Sequence, residues 1–236
     1  MFQGFDPAAI DFLWGLRFNN DRSWFEPRKE EFRTLLDGPM KELCRELYEG
    51  LSQKHRDLPL MSKVSRIYRD ARRLFGRGPY KDHLWLVIHA PADSGVERPC
   101  FWFELAPEYY SFGLGYWVAE AVTMAKFRAR MDRDPKPMER MARALSRQQT
   151  FSLTGEDFKK KKQAPSPLLE PWYNKKRSLA MECTRNHDEL LWSPRLVPVL
   201  LEEWEKLVPL YRYLVTLDGD PDPRGMNTER LKMNNE

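Results

Sequence analysis

The segment Val64-Ser65-Arg66-Ile67-Tyr68-Arg69-Asp70-Ala71-Arg72-Arg73, followed by Gly78-Pro79-Tyr80-Lys81, holds the residue types most able to do chemistry in this chain. It gathers guanidinium groups around one carboxylate. Guanidinium forks match carboxylate and phosphate bidentately, and aligning several of them is costly unless an anion neutralises them. Read as a strand, Arg66, Tyr68, Asp70 and Arg72 share one face, and Ile67, Arg69 and Ala71 share the other. A helix would instead bring Arg66, Arg69 and Arg73 to one side. The branched and aromatic residues fit the strand better. Asp70 is then a poor general base, because neighbouring guanidinium groups favour its charged form. Its expected role is to orient arginines, leaving one to grip a ligand's phosphate or carboxylate. The competing reading is a salt-bridged scaffold that ties the first helices to the sheet, since structural networks gather charge in the same way.

Other chemistry has little to build on. His55, His83, His89 and His187 are scattered. His83 and His89 share a strand face but lie about 20 Å apart when extended, too far for one metal ion. The chain has no HExxH, Walker, GxGxxG or GxSxG motif. Cys100 sits among apolar residues and reads as core. No nucleophile–base pair stands out, and no cofactor can be named.

Composition sets the frame. The 236 residues are 42% hydrophobic and carry 13 Phe, 8 Trp and 9 Tyr, enough for a packed core. The net charge is only +4, well short of a typical nucleic-acid protein. The basicity is local: residues 54 to 83 hold nine Lys or Arg against three Asp, an excess of six. Three distant cysteines, Cys44, Cys100 and Cys183, argue against a disulfide framework or a cysteine zinc site. The first residues lack a signal-peptide pattern, and no run approaches the ~20 apolar residues of a membrane span. The expectation is a reduced, cytoplasmic protein without a membrane partner.

The elements that must hold the cluster follow from periodicity. Asp6-Pro7 opens a helix carrying Ile10, Leu13, Trp14 and Phe18, and Asn19-Asn20-Asp21 ends it. A second helix is expected near Pro27. A third runs from Met40 to Lys54 on Leu43, Leu47 and Leu51. Strands are expected over Val64–Arg72, Leu84–His89, Cys100–Leu105 and Tyr109–Leu114, with Pro91 to Gly95 as a hairpin loop. Helices return over Val118–Met131 and Met138–Arg147. Lys159 to Lys162 reads as a solvated charge run rather than a nucleic-acid patch. Residues 175 to 183 are a late edge strand. A helix from Ser193-Pro194 carries Leu196, Leu200, Trp204, Leu207 and Leu210, kinked or split by Pro198 or Pro209. The fold class is α+β: a central antiparallel sheet of about four to five strands flanked by N-terminal and C-terminal helices. Residues 1–217 are expected to form one domain, and 218–236 a flexible polar tail.

Three segments together resemble the family called domain of unknown function 2461. The first is Asn19-Asn20-Asp21-Arg22-Ser23-Trp24-Phe25, followed by Arg28-Lys29 and Phe32. The second is Arg66-Ile67-Tyr68-Arg69-Asp70-Ala71-Arg72 with Pro79-Tyr80-Lys81. The third is the aromatic-glycine stretch Tyr109 to Trp117. The resemblance covers most of residues 5 to 215. It implies a fold and no particular reaction. Between Arg72 and Pro79 the family usually shows a Phe-Ser-Lys-Asp-Lys-Thr-like hexapeptide. Here Arg73-Leu74-Phe75-Gly76-Arg77-Gly78 keeps a base but loses the hydroxyls and the acid.

The sequence therefore nominates Arg66, Arg69 and Arg72 to bind an anion, with Asp70 orienting them. Tyr80 and Lys81 complete the rim, and Asn20 and Arg22 face them. The expected partner is an anionic small molecule, bound or acted upon, and not a nucleic acid. The alternative is a non-enzymatic module that docks a protein or nucleic acid on the basic 54–83 segment; such binding would fall steeply with salt.

Overall fold

The computed structural model describes residues 1–70, 72, 76–91 and 97–225. In chain order the elements are α1 (Ala8–Phe18), α2 (Arg22–Phe25), α3 (Lys29–Phe32), α4 (Gly38–Lys54), β1 (Met61–Val64), β2 (Leu84–His89), β3 (Cys100–Leu105), β4 (Tyr110–Tyr116), α5 (Ala121–Arg133), α6 (Lys136–Leu145), β5 (Ser152–Thr154), α7 (Glu170–Tyr173), β6 (Leu179–Arg185), α8 (Leu196–Glu205) and α9 (Val208–Val215). The six strands form one antiparallel sheet in the order β1-β2-β3-β4-β6-β5. The fold is α+β, with six strands where four to five are expected.

The described chain divides into two compact units. The first comprises Met1–Pro91, Phe101–Phe112 and Thr184–Trp204, and it contains the arginine segment. Its helices start as their sequences dictate. Asp6 accepts from Ala8 N at 2.8 Å, and Pro7 enters α1 with helical dihedrals. Asp21 caps α2 by accepting from Trp24 N at 2.9 Å. The second helix therefore begins at Arg22, earlier than Pro27, because Asp21 supplies the cap and Pro27 merely tightens one turn over Glu26–Arg28. From there the chain stays helical to Lys54 through a wide turn at Arg33–Asp37. In that turn Gly38 N–H reaches back to Arg33 O, just before Pro39 removes a donor.

The apolar stripe of α4 is Met40, Leu43, Cys44, Leu47 and Leu51, all buried. It packs against β1 and β2. Leu84, Leu86 and Ile88 of β2 are fully buried, while Trp85, Val87 and His89 on the other face are partly exposed. Pairing with β1 sets Lys63 opposite Val87 and Met61 opposite His89. The outer face of this sheet edge thus presents Lys63, Trp85, Val87 and His89 together.

The second unit holds the described residues of Ala92–Cys100, Gly113–Cys183 and Glu205–Glu236. Its core includes Leu114, Phe127, Met131, Met138, Leu179, Leu210 and Leu214. Arg130 donates to Asp220 at 2.6 Å and to Tyr213 O at 2.7 Å, and Arg98 pairs with Asp218. The late strand is β6, which lies inside β5 and not at the edge. The last helix breaks at Lys206–Leu207, ahead of Pro209. The hairpin loop expected at Pro91 to Gly95 lies outside the described residues beyond Pro91, as does the polar tail beyond Gly225. Among the described residues no helix is long and apolar enough to cross a membrane.

An aromatic knot joins the N-terminal helices to the arginine segment. Phe25 is 1% exposed and stacks on Tyr80 with centroids 4.2 Å apart. Phe12, Phe32 and Tyr68 surround it. Phe25→Ala should cost about 3–5 kcal/mol, read as a lower urea midpoint with an unchanged slope.

Candidate functional site

The arginine segment begins where β1 ends. The strand expected over Val64–Arg72 is instead β1 at Met61–Val64, followed by a short paired ribbon. Ser65 closes the edge: its N–H donates to Trp85 O at 2.7 Å, and its hydroxyl accepts from Trp85 N at 3.0 Å. The chain then peels off the sheet. It pairs with residues 79–81 through Arg69 N to Pro79 O at 2.8 Å and Lys81 N to Ile67 O at 2.7 Å. Tyr68 and Tyr80 form an isolated antiparallel bridge. The period-two alternation survives this change. Ile67 is buried, while Arg66, Tyr68 and Asp70 are exposed.

Asn20 locks the ribbon from behind. Its side chain accepts from Tyr80 N at 2.9 Å and donates to Tyr80 O at 2.9 Å. It acts as a one-residue strand partner, using both ends of the amide. Gly78 makes room for it, because a Cβ there would lie 2.2 Å from Asn20 Oδ1 and 2.3 Å from its backbone oxygen.

The charges separate into two groups. Asp82 collects Arg17 at 2.5 Å, Arg69 at 3.4 Å and the His83 ring at 3.1 Å. Arg69 also donates Nε to Tyr80 O at 2.7 Å, and its side chain is 15% exposed. Arg17 continues to Glu108, which accepts from Nη2 at 3.1 Å. Arg69 is thus committed to the frame. Burial raises the Asp82 carboxyl, but hydrogen bonds from Arg17 and His83 outweigh it, leaving the group below its ordinary 3.8. Asp70 takes Arg72 bidentately, at 3.0 Å from Nε and 2.8 Å from Nη2, in an exposed pair. The hydrogen bond that the Arg72 guanidinium donates to this carboxylate raises that guanidinium above its usual value.

Between the ribbon and the outer face of β2 lies an open cavity of about 730 Å³. Among the described residues its lining carries six basic side chains, Lys63, Arg66, Arg69, Arg72, Arg77 and Lys81, against one carboxylate, Asp70. Ser65, Tyr68, Trp85, Val87 and His89 complete it. Arg66 is exposed at this cavity, as are Lys63 and Arg77. Among the described residues the Arg66 guanidinium has no ion pair, and only its backbone carbonyl is engaged, by Lys81 Nζ. The Lys81 ammonium also sits 4.5 Å above the Trp85 ring.

Of the residues nominated from sequence, Arg66, Arg69, Asp70, Arg72 and Lys81 meet at this cavity. Asn20 and Tyr80 stand behind its wall, Tyr80 being fully buried. Arg22 is exposed and does not line it. Sequence reasoning did not nominate Lys63, Arg77, Trp85, Val87 or His89. The alternation of Leu84 to His89 was the signal that would have placed Trp85, Val87 and His89 on one face. Arg73 to Phe75 of the altered loop lie outside the described residues, while Arg77 reaches the cavity.

A family model described as conserved hypothetical protein (DUF2461) matches residues 8–213. The chain therefore belongs to the domain of unknown function 2461 family. No curated protein matches it.

Two outcomes test the frame. Asp82→Asn should cost about 2 kcal/mol at neutral pH, because Arg17 and Arg69 lose a partner that is largely buried. The Asp82 carboxyl is depressed in the fold, so its contribution is complete above 3.8 and fades as pH falls through the folded value. Urea midpoints of the two proteins should therefore stay apart from pH 7 down to about 4 and converge only as the pH falls further. Gly78→Ala should lower the melting temperature by several degrees, since the Asn20 backbone cannot yield. Gly76→Ala at φ +76 meets nothing within 4 Å among the described residues and should cost its backbone strain, about 1 kcal/mol.

Proposed function

We propose that the protein binds an anionic small molecule, bearing phosphate or carboxylate, in the cavity beside β1 and β2. One observation carries the reading: among the described residues, six basic side chains and a single carboxylate line one open space. Such an excess of like charge lowers the cost of holding an anion and raises its local concentration. The volume falls within the range of small-molecule sites. Arg66, Arg72 and Lys81 face the ligand, with Lys63 and Arg77 at the margins. Asp70 fixes the Arg72 fork. Arg69, Asn20 and Tyr80 hold the wall, and Arg22 adds only long-range charge. Three free cysteines suit a reduced, cytoplasmic setting.

The second reading is a non-enzymatic module that docks a protein or nucleic acid on the basic 54–83 segment. The exposure of Arg66, Arg72 and Arg77 favours it. The two readings part on the size of the anion they need.

Pyrophosphate should raise the melting temperature of the wild-type protein. Arg66→Met should weaken that binding about tenfold, the worth of one charge-assisted hydrogen bond, while its ligand-free melting temperature stays within a degree or two. Arg69→Met should instead lower the ligand-free melting temperature. An Arg66→Met protein that responds to pyrophosphate like the wild type contradicts the proposal. Retention on heparin that falls steeply with salt, without a pyrophosphate response, supports the second reading instead.

A further inference from the structure

Lys81 sits in surroundings that anion binding alone does not require. Among the described residues its ammonium meets no carboxylate; it donates to the Arg66 carbonyl oxygen and lies 4.5 Å from the Trp85 ring centroid. Among the described residues, the charged groups that act on it are Arg66, Arg69 and Lys63, all cations. The carboxylates nearby are engaged elsewhere: Asp70 holds Arg72, and Asp82 holds Arg17 and Arg69. A partly desolvated lysine beside other cations is a recurring way to make a nucleophilic amine. Desolvation first, and then the three like charges, lower Lys81 below its usual value, which favours the neutral amine that can attack. The same cavity wall offers Arg66 and Arg72 to hold a charged group next to that amine.

Resting on the anion-site reading above, we infer that Lys81 forms an imine with an anionic carbonyl compound, an aldehyde or ketone whose phosphate or carboxylate is held by Arg66 and Arg72. The Nζ lone pair adds to the carbonyl carbon. The carbon–oxygen π pair moves to oxygen, which gains a proton as nitrogen loses one. The resulting hydroxyl then leaves as water after taking a further proton. Nitrogen gives up its remaining proton, and the carbon–nitrogen double bond forms. One water is released and nothing is oxidised or reduced. The Trp85 ring and the Arg66 carbonyl fix where the nitrogen can stand, so the reacting carbon must lie on the cavity side.

Pyridoxal 5′-phosphate, an aldehyde with a phosphate, is a direct probe of both halves. The full-length protein is treated with it, reduced with borohydride, digested and mapped by mass spectrometry. Lys81 should carry the reduced adduct at least tenfold over the exposed lysines Lys159 and Lys160. Pyrophosphate should protect it, and pyridoxal without the phosphate should label it far less. Lys81→Arg, with folding checked by circular dichroism, should lose the selective adduct, and Arg66→Met should lose the selectivity. Labelling spread over exposed lysines, in a wild-type protein that pyrophosphate still stabilises, overturns the imine and leaves the anion site standing. Selective labelling of Lys81 by both aldehydes alike overturns the anionic class of substrate. The absence of both selective labelling and pyrophosphate stabilisation overturns both readings.

Discussion

The carboxylate of Asp82 is the constraint on which the rest of the first unit depends. It draws Arg17 from α1 and Arg69 from the ribbon to one point, and Arg69 in turn holds Tyr80 O. Without that charge, Arg69 would keep only the Tyr80 carbonyl oxygen and Arg17 only the exposed Glu108, and a partly buried charge that loses its counter-ion is destabilising. With it, the ribbon is fixed against the N-terminal helices while its outward side chains stay available. The cavity therefore has a rigid, neutralised back and a charged front.

The supporting contacts are short-range and mutually dependent. The Phe25–Tyr80 stack, the Asn20 clamp on the Tyr80 peptide and the absent side chain of Gly78 all act on the same three residues. Residues so coupled are not expected to behave additively on mutation. The arrangement also divides the cations by duty. Arg69 and Arg17 are tied down by acids, Arg72 is oriented by Asp70, and Arg66 and Lys81 are left to the cavity. A preorganised wall of this kind reduces the ordering cost of binding.

Much of this was legible in the residues themselves. The period-two pattern correctly separates Ile67 from Arg66, Tyr68 and Asp70, even though no sheet strand runs through them. Asp70 was readable as an orienting carboxylate because its partner, Arg72, is two residues away. Asp82 was not, because its partner Arg17 is 65 residues distant and no local pattern encodes that contact. Tyr80 and Lys81 looked alike as rim residues, but the bridge to Tyr68 turns Tyr80 inward onto Phe25. The strand β1 escaped notice since Met61 and Lys63 are exposed and only four residues pair. The strand β5 is shorter still, at three residues. The fold class followed from the order of helical and alternating segments, which depends on no single contact.

The division between framework and ligand-facing cations is tested most directly by a crystal structure grown with pyrophosphate. The account predicts density for the anion within hydrogen-bonding distance of Arg66 and Arg72, with Arg69 still bound to Tyr80 O and Asp82. An anion held by Arg69 after it has left Asp82, or a cavity empty at saturating pyrophosphate, would contradict it.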